Sequence, residues 1–332
     1  MPIPTAPLTF SPILKRIIWG GRQLGERLGK SIGEGTDYAE SWELVDRADD
    51  QSVVDGGEFR GMSIHDLVQK FPREMLGSHA ETSTGDGEAP AFPLLIKYLD
   101  CNRVLSVQVH PDDNYARKMP TPDLGKTEAW YIVEAKPGSV IYAGLRDGVD
   151  RETLASAIQA GKTADMLHSF EPVAGQCVFI PAGTVHALGD GLLVAEVQQS
   201  SDTTFRLFDW DRVDAKGKPR DLHVAEALTV TDYHRGPIRP QSPGPEENGW
   251  RSLVKCDKFV LRQSASSLVP GGTLVTGKAD SPTVLMVTGG SIRLDNDTEI
   301  GTGQTVFLPA AVGETTLTVM DSATQILEIR LP

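Results

Sequence analysis

Leu105–Asp113 reads LSVQVHPDD. In an extended strand, successive side chains point to opposite faces. Ser106, Gln108 and His110 then share one face, and Leu105, Val107 and Val109 share the other. A polar trio on an inward face needs partners, because a buried unpaired polar group costs about 1–3 kcal/mol. A metal ion with a polar substrate would supply them. A solvated outer face would remove the need, and this segment alone does not choose. Gly125–Tyr131 (GKTEAWY) repeats the alternation and puts Lys126 and Glu128 on one face.

Gly175–His186 (GQCVFIPAGTVH) fits the pattern G-x5-P-x-G-x2-H. This resembles the second sequence motif of cupins, small double-stranded β-helix barrels. Its glycine and proline shape a tight turn between antiparallel strands, and the turn aims His186 into the barrel mouth. A lone histidine is more often a satisfied core residue. One inside this motif, with Gln/His and Lys/Glu pairs upstream, reads as a ligand. Gln108, His110, Glu128 and His186 offer two imidazole nitrogens and two oxygens. Zinc suits that set and leaves positions open for water or substrate; Mn or Co also fit. Gln108 is the least usual ligand of the four.

These residues need strands to hold them. Short β-branched runs divided by Gly, Pro and Asp predict strands at Leu95–Leu99, Val104–Val109, Ala129–Val133, Ser139–Ala143, Cys177–Ile180 and Leu192–Val197. Further runs lie at Phe259–Arg262, Thr283–Val287, Thr305–Leu308 and Gln325–Ile329. Such spacing indicates a barrel or sandwich. Helical signals are few: Ser63–Lys70 with Ser63 as N-cap, Asp150–Ala160 capped by Asp150 and ended by Gly161, and a short piece over His223–Leu228. His79–Pro90 reads as a polar surface loop. Arg235–Gly249 holds four prolines and reads as a linker. Gly303–Glu314 (GQTVFLPAAVGE) echoes Gly175–His186 in register over twelve positions. A duplication accounts for the echo, chance similarity of two hairpins being the alternative. The expected architecture is mainly β: two cupin-type barrels with a few short helices. Residues 1–235 would form the catalytic domain and 236–332 a degenerate barrel. In the second copy Glu314 falls where His186 stands, so that barrel is expected to hold no metal. Its interior should be filled by Leu285, Val287, Val306 and Leu308.

The chain has 332 residues, enough for two domains, and a formal charge of −13. That balance argues against nucleic acid or an anionic membrane as partner. It allows a small anion held by a local basic cluster. Three widely spaced cysteines, Cys101, Cys177 and Cys256, form neither a disulfide framework nor a Cys-x-x-Cys site. No apolar run approaches the length of a membrane span, and the N-terminus has no basic residue before Lys15. A cytoplasmic protein is expected.

QVHPDD, GKTEAWY, IPAGTVHAL and SSDTTFRLFDWDR occur in this order, preceded by IIWGG, AESWE and FPLLIKYLD. Over most of residues 13–235 the chain resembles the type I phosphomannose isomerases in their short bacterial form. The resemblance implies interconversion of mannose 6-phosphate and fructose 6-phosphate with one zinc per chain. It implies metal ligands at Gln108, His110, Glu128 and His186, the set already reached by strand alternation. It implies catalytic roles for Lys97, Lys126, Glu196 and Arg206, and substrate contacts at Ser106 and Arg212. Three departures matter. Ala129–Val185 spans only 57 residues, too few for the helical insert of longer members. Gly125 replaces a histidine that some members carry before the lysine. Leu188 stands where long members often have tyrosine. A metal cupin of another chemistry and a non-enzymatic sugar-binding bicupin are the competing readings. The basic cluster after the metal motifs disfavours the first, and the complete ligand set disfavours the second.

Overall fold

A computed structural model describes residues 2–81, 90–213 and 217–332. Residues 82–89 of the expected surface loop therefore lie outside the described residues. The chain is mainly β with short helices, as expected.

One run of strands comprises β1 (Leu94–Cys101), β2 (Val107–Val109), β3 (Glu128–Ala135), β4 (Ile141–Leu145), β5 (Leu167–Phe170), β6 (Cys177–Ile180), β7 (His186–Leu188) and β8 (Leu192–Gln199). A second comprises β9 (Val260–Ser264), β10 (Thr273–Thr276), β11 (Thr283–Gly289), β12 (Ser291–Leu294), β13 (Glu299–Gly301), β14 (Thr305–Leu308), β15 (Thr315–Val319) and β16 (Gln325–Arg330). In the first barrel the sheets run β6-β3-β8-β1 and β2-β7-β4-β5; in the second they run β14-β11-β16-β9 and β10-β15-β12-β13. The two orders correspond strand for strand. The twelve-residue echo is thus the part of an eight-strand repeat that survives in sequence. Further strands extend the edges. Tyr38–Leu44 pairs with β1, and Phe205–Phe208 pairs with β2. Leu8–Ser11 pairs with β14 and so joins a sheet of the second barrel.

Alternation along β8 explains why the first barrel has an apolar floor and a polar mouth. Leu192 and Val194 lie in the interior with Leu99, Trp130, Ile132 and Ile180. Glu196 and Gln198 continue the same face and are also buried. The strands on either side of β8 run antiparallel to it, with Glu196 opposite Lys97 and Gln198 opposite Glu128. Lys97, Glu196 and Glu128, one from each of three strands, therefore meet. The other face of β8, through Leu193, Ala195 and Val197, shares one core with Leu261, Met286, Leu327 and Ile329 of the second barrel. That shared core is the hydrophobic cement between the barrels.

The second barrel keeps the scaffold and changes the lining. Leu285, Val287, Val306 and Leu308 fill its interior as expected, with Ile292, Leu317 and Ile326. Thr283 stands opposite Leu308 as Glu128 stands opposite Ile180. Glu314 is exposed. An ion pair does persist: half-buried Arg262 faces buried Glu328 across the sheet, as Lys97 faces Glu196.

The helices follow their caps. Ile64–Lys70 begins after Ser63, whose hydroxyl accepts from the Asp66 amide at 3.0 Å. Arg151–Gln159 begins after Asp150, which accepts from Thr153, and Gly161 follows with φ +67°. The piece expected at His223–Leu228 is Val224–Val230. The strand expected over Val104–Val109 is ordered only from Val107. The carbonyls of Val104 and Leu105 instead accept from Arg212 and the Trp210 indole, which removes them from the ladder.

Phe307 on β14 stacks edge-on against Phe92 at 5.6 Å and Phe10 at 6.4 Å, tying three segments together. Phe307→Ala is expected to destabilise the protein by about 3–5 kcal/mol, read from the shift of the urea midpoint.

Candidate active site

His110, Glu128 and His186 converge at the mouth of the first barrel, with their donor atoms all within 4.8 Å of one another. Each comes from a different piece of the sheet pair: the end of β2, the start of β3 and the start of β7. His186 Nε2 lies 3.3 Å from Glu128 Oε1, and His110 Nε2 lies 3.5 Å from Glu128 Oε2. All three residues are about 1% exposed. Gln108 joins them, its amide nitrogen 3.3 Å from His186 Nε2. Its amide oxygen accepts from Ser106 Oγ at 3.1 Å. Turning the amide about its axis would aim that oxygen at the histidines and leave Ser106 to accept from the nitrogen.

The second nitrogen of each ring fixes the first. His110 Nδ1 faces the Thr203 carbonyl at 2.9 Å, and His186 Nδ1 faces the Thr184 carbonyl at 2.9 Å. A carbonyl only accepts, so both Nδ1 atoms carry the proton and both Nε2 atoms present lone pairs. Burial favours the neutral rings. It pushes His186 down to about 4, against the pull of the Thr184 carbonyl. It pushes His110 well below the usual range, helped by Lys126 and His186.

The donor chemistry fits a divalent cation. Two neutral imidazole nitrogens and a carboxylate point at one spot, and buried Glu128 Oε2 has the Lys126 ammonium nearby but no contact of hydrogen-bond geometry. The Lys126 ammonium sits 3.2 Å from His110 Nε2 and 3.2 Å from Glu128 Oε2, a single charge set against a three-acceptor cluster.

Beside the triad runs a chain of alternating charges. Lys97 lies 3.6 Å from Glu196 and 3.3 Å from Glu40; Lys126 lies 4.0 Å from Glu196. The Trp42 indole donates to Glu40 at 2.6 Å. Counting Glu40, Glu128 and Glu196 against Lys97 and Lys126, one negative charge is uncompensated by these groups. Burial raises the Glu196 carboxyl above its usual range, with Lys97 and Lys126 pulling it back. Burial would lower Lys97, but Glu196 and Glu40 outweigh it and the ammonium is held above its ordinary value. Oε1 of Glu196 has no hydrogen-bond partner.

Ser106, Gln108, Glu128, His186, Lys126 and Glu196, with Lys97 and Glu40, line a cavity of about 300 Å³, near the lower edge of the range for small-ligand sites. Its far wall is basic. Arg206, opposite Gln108 on the neighbouring strand, donates to the Asp221 carbonyl at 3.0 Å and keeps a buried Nε without a partner. Burial and then Arg220 lower its guanidinium from the ordinary value. Arg220 lines the same wall and grips Asp209 through two hydrogen bonds of 2.8 and 2.5 Å. Arg212 is not in the cavity wall. Its donors go to Asp209 and to the Val104 carbonyl, so it braces the segment behind the wall.

Nine of the ten expected residues thus meet in one place, with Arg212 behind the cavity. Glu40, Arg220 and His223 join them without being expected from the sequence. Alternation in AESWE, which sets Glu40 and Trp42 on one face, was the signal for the first. Nothing local marks Arg220 and His223, which reach the wall only through the return of the chain after Phe205–Phe208. The structure also accounts for Gly125. A Cβ there would lie 2.5 Å from the Asp113 amide nitrogen, so no histidine fits.

A model of the family "Phosphomannose isomerase type I, catalytic domain" matches residues 8–141. The mannose-6-phosphate isomerase ManA of Bacillus subtilis is 38% identical over 235 residues, 71% of each chain. A mannose-6-phosphate isomerase of Streptococcus mutans is 37% identical over 258 residues, 78% of this chain and 76% of that one. The crystal structure of the mannose 6-phosphate isomerase from Bacillus subtilis superposes with a TM-score of 0.84 at 30% identity, covering 98% of this chain and 99% of the other. With a fold, a sequence and a buried donor triad that agree, the chain belongs to the type I phosphomannose isomerases.

Proposed function

We propose that this chain is a zinc-dependent aldose–ketose isomerase that interconverts mannose 6-phosphate and fructose 6-phosphate through an enediol. One observation carries the reading. Glu128 and His186 of the donor triad, the Lys97–Glu196 pair and the basic wall of Arg206 and Arg220 share one cavity of hexose-phosphate scale, with His110 directly behind it. The names of the relatives support the substrate. Residues 1–235 are read as the catalytic part and 236–332 as its buttress. The setting is read as cytoplasmic, which the free cysteines support.

Gln108, His110, Glu128 and His186 would hold the zinc, which when bound polarises the carbonyl and hydroxyl oxygens of the substrate. The protein's own groups do the rest. Isomerisation of the open-chain aldose removes a proton from C2 and returns it to C1, while the O2 hydroxyl proton passes to O1. Glu196, raised by burial toward neutrality, takes and returns the carbon-bound proton. Lys97 holds that carboxylate in place, and Lys126 faces the oxygen on which negative charge grows. Arg206 stabilises the same developing charge. Arg220 receives the phosphate with donors that Asp209 leaves free, and Ser106 supplies a hydroxyl. Arg212, expected as a substrate contact, contributes through Asp209.

Dialysis against a chelator is expected to abolish mannose 6-phosphate turnover, and added zinc to restore it. Full turnover by protein that elemental analysis finds metal-free would overturn the proposal. Arg206→Ala is expected to lower kcat by about 10²–10³ with little change in KM, since its partner charge exists only near the transition state. A rise in KM alone would make it a binding group. Arg220→Gln is expected to lower kcat/KM for mannose 6-phosphate by about 10–100-fold while leaving the slow reaction of free mannose unchanged. Equal losses on both sugars would remove Arg220 from the phosphate.

A further inference from the structure

The segment Gly125–Thr127 delivers Lys126 and Glu128 to the active site, and its backbone is held at every amide. Gly125 N donates to Asp113 Oδ1 at 2.8 Å, Lys126 N to the Pro111 carbonyl at 3.0 Å, and Thr127 N to Gln199 Oε1 at 3.0 Å. Gln199 in turn donates to Asp113 Oδ1 at 2.9 Å. Asp113 is therefore the common anchor of the segment. Its other oxygen, Oδ2, lies 2.7 Å from the Lys258 ammonium. Lys258 sits in the turn between Trp250–Lys255 and β9, on the second barrel. The close fit of Gly125 against the Asp113 amide leaves no slack between anchor and segment.

We propose that Asp113 is a positioning residue for this active site and that Lys258 holds it, so that the second barrel fixes where Lys126 and Glu128 stand. The inference rests on the isomerase reading above. Lys258 and Asp113 are each about a quarter exposed. A pair of that kind adds little to global stability, commonly ~0–1 kcal/mol. A small displacement of a catalytic group, by contrast, can cost as much as ~100-fold in rate. The two readouts separate a clamp from a mere brace.

The test uses the full chain, with Lys258→Met, Asp113→Asn and both together. Lys258→Met is expected to lower kcat by about tenfold with KM and Tm nearly unchanged, and Lys258→Arg to recover most of the rate. It is also expected to weaken zinc binding about tenfold in competition with a chromogenic chelator, because Glu128 follows the clamped segment directly. The double variant should lose no more than Asp113→Asn alone, since both act through one link. Glu299→Gln, which breaks the exposed Arg293–Glu299 pair of the same barrel, is the control and should leave kcat unchanged. The proposal is overturned if Lys258→Met keeps both its rate and its zinc affinity, if the two losses add, or if the control loses as much. Should the unaltered protein fail to turn over mannose 6-phosphate, the functional reading falls, and the zinc competition alone still decides the clamp.

Discussion

Three groups that only accept hydrogen bonds at their converging atoms, His110 Nε2, His186 Nε2 and the Glu128 carboxylate, share a buried space less than 5 Å across. Buried this deeply, such a cluster is unfavourable unless a cation meets it, since most of its lone pairs have left the solvent that satisfied them. The surrounding architecture answers that constraint. Backbone carbonyls lock the outer nitrogens, Lys126 is pressed into the cluster, and Lys97 pairs with Glu196 beside it.

The barrel makes the cluster affordable in structural terms by separating it from the floor. Because β8 lies between β1 and β3 and runs antiparallel to both, Lys97, Glu196 and Glu128 meet at one mouth while Leu99, Trp130, Ile132 and Val194 close the other end. The second barrel shows the same scaffold without the cluster. Thr283 replaces the carboxylate and an apolar interior follows, yet the Arg262–Glu328 pair still occupies the cross-strand position of Lys97–Glu196. A salt bridge at that position thus belongs to the repeat, and the convergent donors belong to the first copy alone among the described residues.

The legible part of this arrangement was whatever strand alternation or capping chemistry encodes locally. Lys126 with Glu128, and the limits of the helix after Ser63, follow from residue type and spacing alone. The eight-strand repeat was legible only where a glycine–proline turn preserved its letters, because elsewhere many apolar residues satisfy the same interior position. The rest depends on long-range contacts. Leu8–Ser11 finds its partner strand about 300 residues away, and no local pattern encodes that. Arg220 reaches the cavity, and Arg212 is drawn behind it, because both compete for Asp209 once the chain has folded back.

The central claim is that the buried triad of the first barrel is the seat of the metal. Crystals of the zinc-loaded protein, measured on both sides of the zinc absorption edge, test it directly. The expected result is one anomalous peak per chain at about 2.0–2.2 Å from His110 Nε2, His186 Nε2 and a Glu128 oxygen. A principal peak in the second barrel, or one that touches fewer than two of those three residues, would contradict the account.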